Sequence, residues 1–318
     1  MKTVYMLLAC NLVIQVAIGR NRIAEEVSFK SGNETLTGIL VKPHSGNNLP
    51  AVVFQQGSGN LAFEGYEKEA WGPHKFYIED VLLEQGYAVL YCNKRGLGGS
   101  TGNWRKNDFY GRADDAYAAV QYLKSLPEIN ADQIGVSGHS QGGWIAQIVA
   151  AKHDDIAFII CLAGPTVGVK EQIYSHDRFR FACEGYEGEK LEKKIQKRKK
   201  SLDKSYNLGK NSGIVGASNH LYLIFDYDND EILKSVSCPT LLLFAEFDIN
   251  VDPKENIDHL NLIFEDQVPS NFQIRTMPKG QHGFYKVDNR CIPWEEAEKN
   301  DFDSDFQNQI REWVKALN

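Results

Sequence analysis

An α/β fold, with a doubly wound and mostly parallel sheet and a helical cap inserted late in the chain, is predicted by three observations. Apolar runs of strand length alternate with segments of helical periodicity from residue 51 onward, the pattern of consecutive βα units. The runs at 51–55, 87–92, 156–162 and 239–244 are apolar almost throughout rather than at every second position, as expected of strands covered on both faces. The alternation lapses at about 166–237, where the sequence turns helical and polar, and then resumes. Such an interruption reads as an insertion above the strand ends.

A chain of 318 residues with 42% hydrophobic content is long enough for one large core, so a single domain carrying that insertion accounts for it. The net charge of −7 argues against the basic face that nucleic-acid binding requires. No repeat or low-complexity linker divides the chain.

Taken in order, Lys2, the apolar stretch 4–18 and the small residues of Ala17-Ile18-Gly19 make residues 1–19 a secretory signal, leaving a domain of residues 20–318 that is secreted or periplasmic. Asn11 and Gln15 interrupt a stretch already short for a membrane span, so no stable span is expected after removal of the signal. Leu7-Leu8-Ala9-Cys10 also resembles a lipoprotein box that would anchor the chain through Cys10; it ranks second, because processing there leaves apolar residues 12–18 on the mature chain. Residues 23–42 form a hairpin around Ser31-Gly32-Asn33, and strand 51–55 ends in Gln56-Gly57-Ser58-Gly59. A helix at 76–85, stopped by Gly86, precedes strand 87–92 and the glycine-rich loop 93–100. That loop lacks the spacing of a phosphate cradle and reads as structural. Helix 111–126, strand 133–137, helix 144–152 and strand 156–162 follow. In the cap, 189–204 carries many lysines, but Glu189, Glu192 and Asp203 are interleaved, which marks a solvated helix face. Strand 240–247, a helix within 253–264, strand 272–277 and a closing helix at 302–317 complete the chain.

Of the six cysteines, Cys10 lies in the signal, and the spacings of the other five show neither a disulfide framework nor a zinc pattern. Cys92 and Cys161 fall in apolar strands, as small buried hydrophobes.

The chemistry centres on Gly138-His139-Ser140-Gln141-Gly142-Gly143, which follows a strand and opens a helix. In that context G-x-S-x-G is a nucleophile elbow, a strained turn that needs small residues two before and two after the serine. A serine hydroxyl needs a base, itself oriented by a carboxylate. His282, in Gly280-Gln281-His282-Gly283 beyond the last strand, is the candidate base, carried on a loop with flexible glycines on both sides. His139 is less suitable, because neighbouring side chains on such a turn diverge. Asp248, ending strand 240–247, is the candidate acid; its rival Asp252 directly precedes Pro253, where a helix-capping role explains it. The developing oxyanion needs backbone donors, for which the N–H groups of Gln141 and Ser58 are the candidates.

Ser140, Asp248 and His282, in that chain order, with Gln56-Gly57-Ser58-Gly59 and Arg95-Gly96-Leu97-Gly98-Gly99-Ser100, resemble the α/β-hydrolase superfamily. Within it the chain resembles bacterial esterases related to the serine aminopeptidase-like and dienelactone-hydrolase-like branches. The similarity covers about 25–318, and Gln56 replaces the histidine that usually begins the family's oxyanion loop. The resemblance implies a serine esterase acting on a small-molecule ester through an acyl-enzyme, with no metal or organic cofactor. A serine peptidase of the same fold is the alternative, and an acidic cap subsite for a free amine, from Glu184, Glu187 or Glu189, would favour it.

Overall fold

Strands that are apolar along their length need cover on both faces, and a computed structural model supplies it. The structure describes residues 15–18, 22–66, 78–212, 220–297 and 304–317. Its sheet is formed by β1 (Gln15–Ile18), β2 (Arg22–Ser31), β3 (Glu34–Pro43), β4 (Leu49–Gln55), β5 (Ala88–Cys92), β6 (Ile129–His139), β7 (Ile159–Leu162), β8 (Thr240–Ala245) and β9 (Phe272–Met277). The nine strands lie in the order β1-β2-β3-β5-β4-β6-β7-β8-β9. β1, β2, β3 and β5 pair antiparallel to one another, and all pairings from β5 through β4 to β9 are parallel. The sheet is doubly wound and mostly parallel.

Successive residues of each strand serve opposite faces. Ala51 and Val53 join one apolar layer with α2 (Phe109–Lys124) and α3 (Gln141–Lys152), through Ala116, Val120, Ile145 and Val149. Val52 and Phe54 join the other, with α1 (Asp80–Glu84) and α10 (Ser304–Lys315), through Val81, Leu82, Phe306 and Trp313. Between β7 and β8 run α4 (Val169–Cys183), α5 (Gly188–Ser212), α6 (Leu221–Ile224) and α7 (Asp230–Ser235). The chain has rejoined the core by α7, since Leu233 is buried in the same layer as α3. α5 buries Ile195 while most of its lysines are exposed. α8 (Pro253–Ile263) links β8 to β9, and a short α9 (Trp294–Ala297) precedes α10. No helix among the described residues is long and apolar enough to cross a membrane.

Several expectations shift. The helix expected at 76–85 is described only as Asp80–Glu84, residues 76 and 77 lying outside the described residues. The strand expected to reach 247 stops at Ala245, because Asp248 N–H turns back to the Ala245 carbonyl at 3.1 Å. The expected signal lies outside the described residues except for β1, whose backbone pairs with β2 from Gln15–Glu25 to Ile18–Arg22. The reading of the cysteines needs correction: Cys183 and Cys291 form a disulfide, 108 residues apart. Spacing gave no sign of it because the bridge joins the end of α4 to the loop beyond β9, two segments that only folding brings together. Cys92 and Cys161 are buried and free, and Cys238 is free and half-buried.

Candidate active site

The strand order places the site. β4 connects toward β5 on one side and β6 toward β7 on the other, while β4 and β6 are neighbours. Connections that leave two adjacent strands in opposite directions open a crevice at their carboxyl ends. Gln55 of β4 is level with Gly138 of β6, so residues 56–59 and the turn at Ser140 emerge side by side into that crevice.

Ser140 has φ +54° and ψ −121°, a left-handed backbone that costs a non-glycine residue energy. Its N–H donates to the Leu162 carbonyl at 2.9 Å and its own carbonyl accepts from Gly143 N–H at 2.8 Å, so both neighbouring elements hold the turn. The glycines are required sterically. A Cβ on Gly138 would lie 2.0 Å from the Gly142 carbonyl oxygen, and one on Gly142 would lie 2.2 Å from that of Gln55. A Cβ on Gly143 would meet Gly164 Cα at 2.5 Å, which lets α3 pack against the loop after β7.

Asp248 and His282 meet at the same end of the sheet. His282 Nδ1 and Asp248 Oδ2 are 2.6 Å apart, and the carboxylate is fully buried. Its other oxygen, Oδ1, accepts from the N–H groups of Asn250 at 2.7 Å and Val251 at 3.0 Å, which fixes the plane of the carboxylate. Asp252 instead caps α8, accepting from Glu255 N–H at 2.9 Å. The loop of His282 is anchored rather than flexible. Gly280 bridges to Lys286, Phe284 is fully buried and stacks on Phe306 with ring centroids 3.9 Å apart, and a Cβ on Gly280 would come 3.2 Å from Ala245 Cβ. Glycine serves close packing there. His139, set aside as a base, is nevertheless part of the arrangement: its Nε2 lies 3.0 Å from the His282 carbonyl oxygen, and the two rings are 4.8 Å apart.

Gly57 passes directly beside the serine, since a Cβ there would lie 3.1 Å from Ser140 Cβ. Two buried basic side chains hold segment 56–59. Lys94 Nζ donates to the carbonyls of Gly57 at 2.6 Å and Gly59 at 2.9 Å. Arg112 donates to the Gln56 carbonyl at 2.9 Å and to the side-chain oxygen of Gln141. Burial, with Arg112 nearby, holds the Lys94 amino group well below its ordinary range, and burial brings Arg112 down to about 10. The loop 93–100, read as structural, thus carries a side chain into the site. Sequence reasoning missed Lys94 and Arg112 because each lies far along the chain from the groups it holds.

The cap rests on the Asp248 loop. Gln172 of α4 donates to the Asn250 carbonyl at 2.7 Å, and His176 Nδ1 lies 3.2 Å from the Ile249 carbonyl oxygen. Glu184 is held by Arg180 and Lys194, and Glu189 by Lys193; with Glu187 they are exposed. Among the described residues no group of three or more His, Cys, Asp or Glu is placed to hold a metal ion.

Sheet order, elbow and strand-end loops define an α/β-hydrolase. Within that superfamily the chain belongs to the X-Pro dipeptidyl-peptidase (S15) family, whose profile matches residues 34–223. It is 28% identical over 129 residues to dipeptidyl-peptidase 5 of Porphyromonas gingivalis, a match covering 39% of this chain and 18% of that protein. A match to the putative hydrolase YtaP of Bacillus subtilis, 28% identical over 147 residues, covers 42% and 49%. The chain therefore spans less than a fifth of the dipeptidyl-peptidase and about half of YtaP. Among solved structures, Est1E of Butyrivibrio proteoclasticus with bound ferulic acid superposes with a TM-score of 0.59 at 16% identity, over 92% of this chain and 98% of that one. Acetyl xylan esterase 1 of Thermoanaerobacterium gives 0.57 at 14% identity, over 96% and 87%. At such identities these likenesses speak to the fold.

Proposed function

We propose that the chain is a serine hydrolase that cleaves carboxylic esters through an acyl-enzyme, with Ser140 as nucleophile, His282 as base and Asp248 as its orienting acid. The observation that carries the reading is the Asp248–His282 pair at 2.6 Å, at the strand ends that also present Ser140 on a left-handed turn. With Nδ1 committed to Asp248, Nε2 of His282 is the nitrogen that takes the Ser140 proton as Oγ attacks the ester carbonyl. The tetrahedral oxyanion is held by the N–H of Ser58, in the loop after β4, and by that of Gln141, at the start of α3, where the helix dipole also favours negative charge. Collapse expels the alcohol, which takes the proton from His282. A water deprotonated by His282 then releases the acid and regenerates Ser140. A fluorophosphonate probe should label the wild-type protein at Ser140 and leave Ser140→Ala unlabelled. Labelling of both variants alike would place the nucleophile elsewhere.

Membership of the S15 family favours a second reading, a peptidase acting on aminoacyl amides. Against it, Glu184 and Glu189 are already ion-paired on the cap surface, and Glu187 is exposed beside them, so the three carboxylates enclose no pocket for a substrate amine. The likeness in fold to acetyl xylan esterase 1 also favours the ester reading. A panel of aryl and acetyl esters beside X-Pro anilides separates the two. The proposed setting is outside the cytosol, after cleavage near Arg20; the Cys183–Cys291 bridge accords with an oxidising compartment. N-terminal sequencing of the native protein tests this, and an intact Met1 would refute it.

A further inference from the structure

The geometry points to Lys94 as a positioning residue that sets and polarises the second oxyanion donor through the Gly57–Ser58 peptide. This rests on the reading of Ser140 as the nucleophile.

In a trans peptide the carbonyl oxygen of one residue and the N–H of the next lie in one plane and point in opposite directions. No peptide bond of the described chain is cis. Lys94 Nζ bonds the Gly57 oxygen at 2.6 Å, so it fixes the direction in which the Ser58 N–H points. Withdrawing electron density from that carbonyl also makes the same amide a stronger donor. The second bond, to the Gly59 carbonyl at 2.9 Å, holds the Gly59–Asn60 peptide, so the stretch around Ser58 is tethered on both sides. Two N–H donors suffice for this in either protonation state of the amine.

The surroundings are built for the task. Lys94 follows the end of β5, which is parallel to β4, so both segments leave the sheet at the same end. The preceding residue, Asn93, holds the other end of the loop, accepting from Phe63 N–H at 2.6 Å and donating to the Phe63 carbonyl at 3.1 Å. Arg112 holds the Gln56 carbonyl and the side chain of Gln141, the residue of the first donor. Trp104 shields Lys94, with Nζ 5.8 Å from the ring centroid. Lys94 is only 8% exposed, and its acceptors among the described residues are main-chain carbonyls rather than a carboxylate. Burying an amine without an ionic partner is costly for stability. An amine poised behind the groups that bind an anionic transition state has a use that offsets the cost.

The test is Lys94→Met, which keeps the length of the side chain and removes the donors. On the turnover of an aryl ester that Ser140→Ala abolishes, kcat should fall about 10²-fold, as for loss of one oxyanion donor, while KM changes by less than about threefold. The affinity of an alkyl boronic acid, which forms a tetrahedral anionic adduct on the serine, should weaken by the same factor as kcat/KM. Lys94→Gln retains amide donors on a shorter arm and should fall between Lys94→Met and wild type. It also supplies the reading if the methionine variant does not fold. Wild-type kcat in either folded variant overturns the inference, as does a rise in KM with kcat and boronate affinity unchanged. If Ser140→Ala itself retains full turnover, the nucleophile assignment fails first, and the two failures are told apart by that control.

Discussion

Asp248→Asn is the sharpest perturbation, because the hydrogen bonds of Asp248 dictate what an amide must do in its place. Oδ1 accepts from two main-chain N–H groups, those of Asn250 and Val251. An asparagine can satisfy both only by putting its carbonyl oxygen there, which turns its NH₂ toward His282 Nδ1, 2.6 Å from the present Oδ2. Nδ1 must then accept, the proton moves to Nε2, and the imidazole is left in the tautomer that cannot take a proton from Ser140. The expected loss is about 10⁴-fold in kcat at neutral pH, about 5.4 kcal/mol at roughly 1.36 kcal/mol per tenfold. Because the backbone bonds survive, thermal stability should change little. Asp252→Asn is the control: the amide oxygen still caps α8, and only the 3.6 Å pair with Arg290 is lost, worth about 1 kcal/mol or less. Steady-state kinetics and thermal denaturation of both variants provide the assay. Asp248→Asn retaining kcat within about tenfold of wild type would refute the tautomer argument, and loss of turnover in Asp252→Asn would move the acid to that position.

Three further outcomes are expected. Ser140→Ala should lower kcat by about 10⁴-fold or more with folding intact, whereas Ser140→Gly, equally inactive, should be more stable than the alanine variant by about 1 kcal/mol because φ is +54°; equal unfolding midpoints would show that the turn stores no strain. Reduction of Cys183–Cys291 should cost about 2–4 kcal/mol of stability and raise hydrogen exchange in α4, which the bridge ties to the loop beyond β9; unchanged urea unfolding and exchange would count against it. Burial, and then the charges of Arg112 and Lys94, push His220 down to about 4 from its ordinary 6.5, so between those pH values the unfolded chain binds a proton that the native state does not. Stability should therefore fall as pH drops from 6.5 toward 4, and His220→Gln should flatten part of that slope; parallel melting curves for the two proteins would show that His220 contributes nothing.

The order of strands and helices was legible in the sequence because it rests on local periodicity. Strands such as 51–55 are apolar on both faces, and the elbow at Ser140 carries its glycines within two residues, so neither reading needs a distant partner. That Asp248 and His282 lie at the same edge of the sheet was legible from their places just beyond strand ends, which a doubly wound sheet gathers together. Their 2.6 Å contact was not, since it depends on a turn after Ala245 that ends the strand sooner than its apolar run. What tertiary structure alone decided are the contacts made across the fold. Lys94 reaches the Gly57 carbonyl, 37 residues away in sequence, and Arg112 reaches the Gln56 carbonyl, 56 away. Cys183 finds Cys291, and the glycine before Gln281 proves to be a packing residue against Ala245 rather than a hinge. A buried lysine or arginine or a half-cystine looks, in sequence, like any other residue of its type. Its role is set by which backbone or side-chain atoms the fold brings within about 3 Å, and no spacing along the chain encodes that distance.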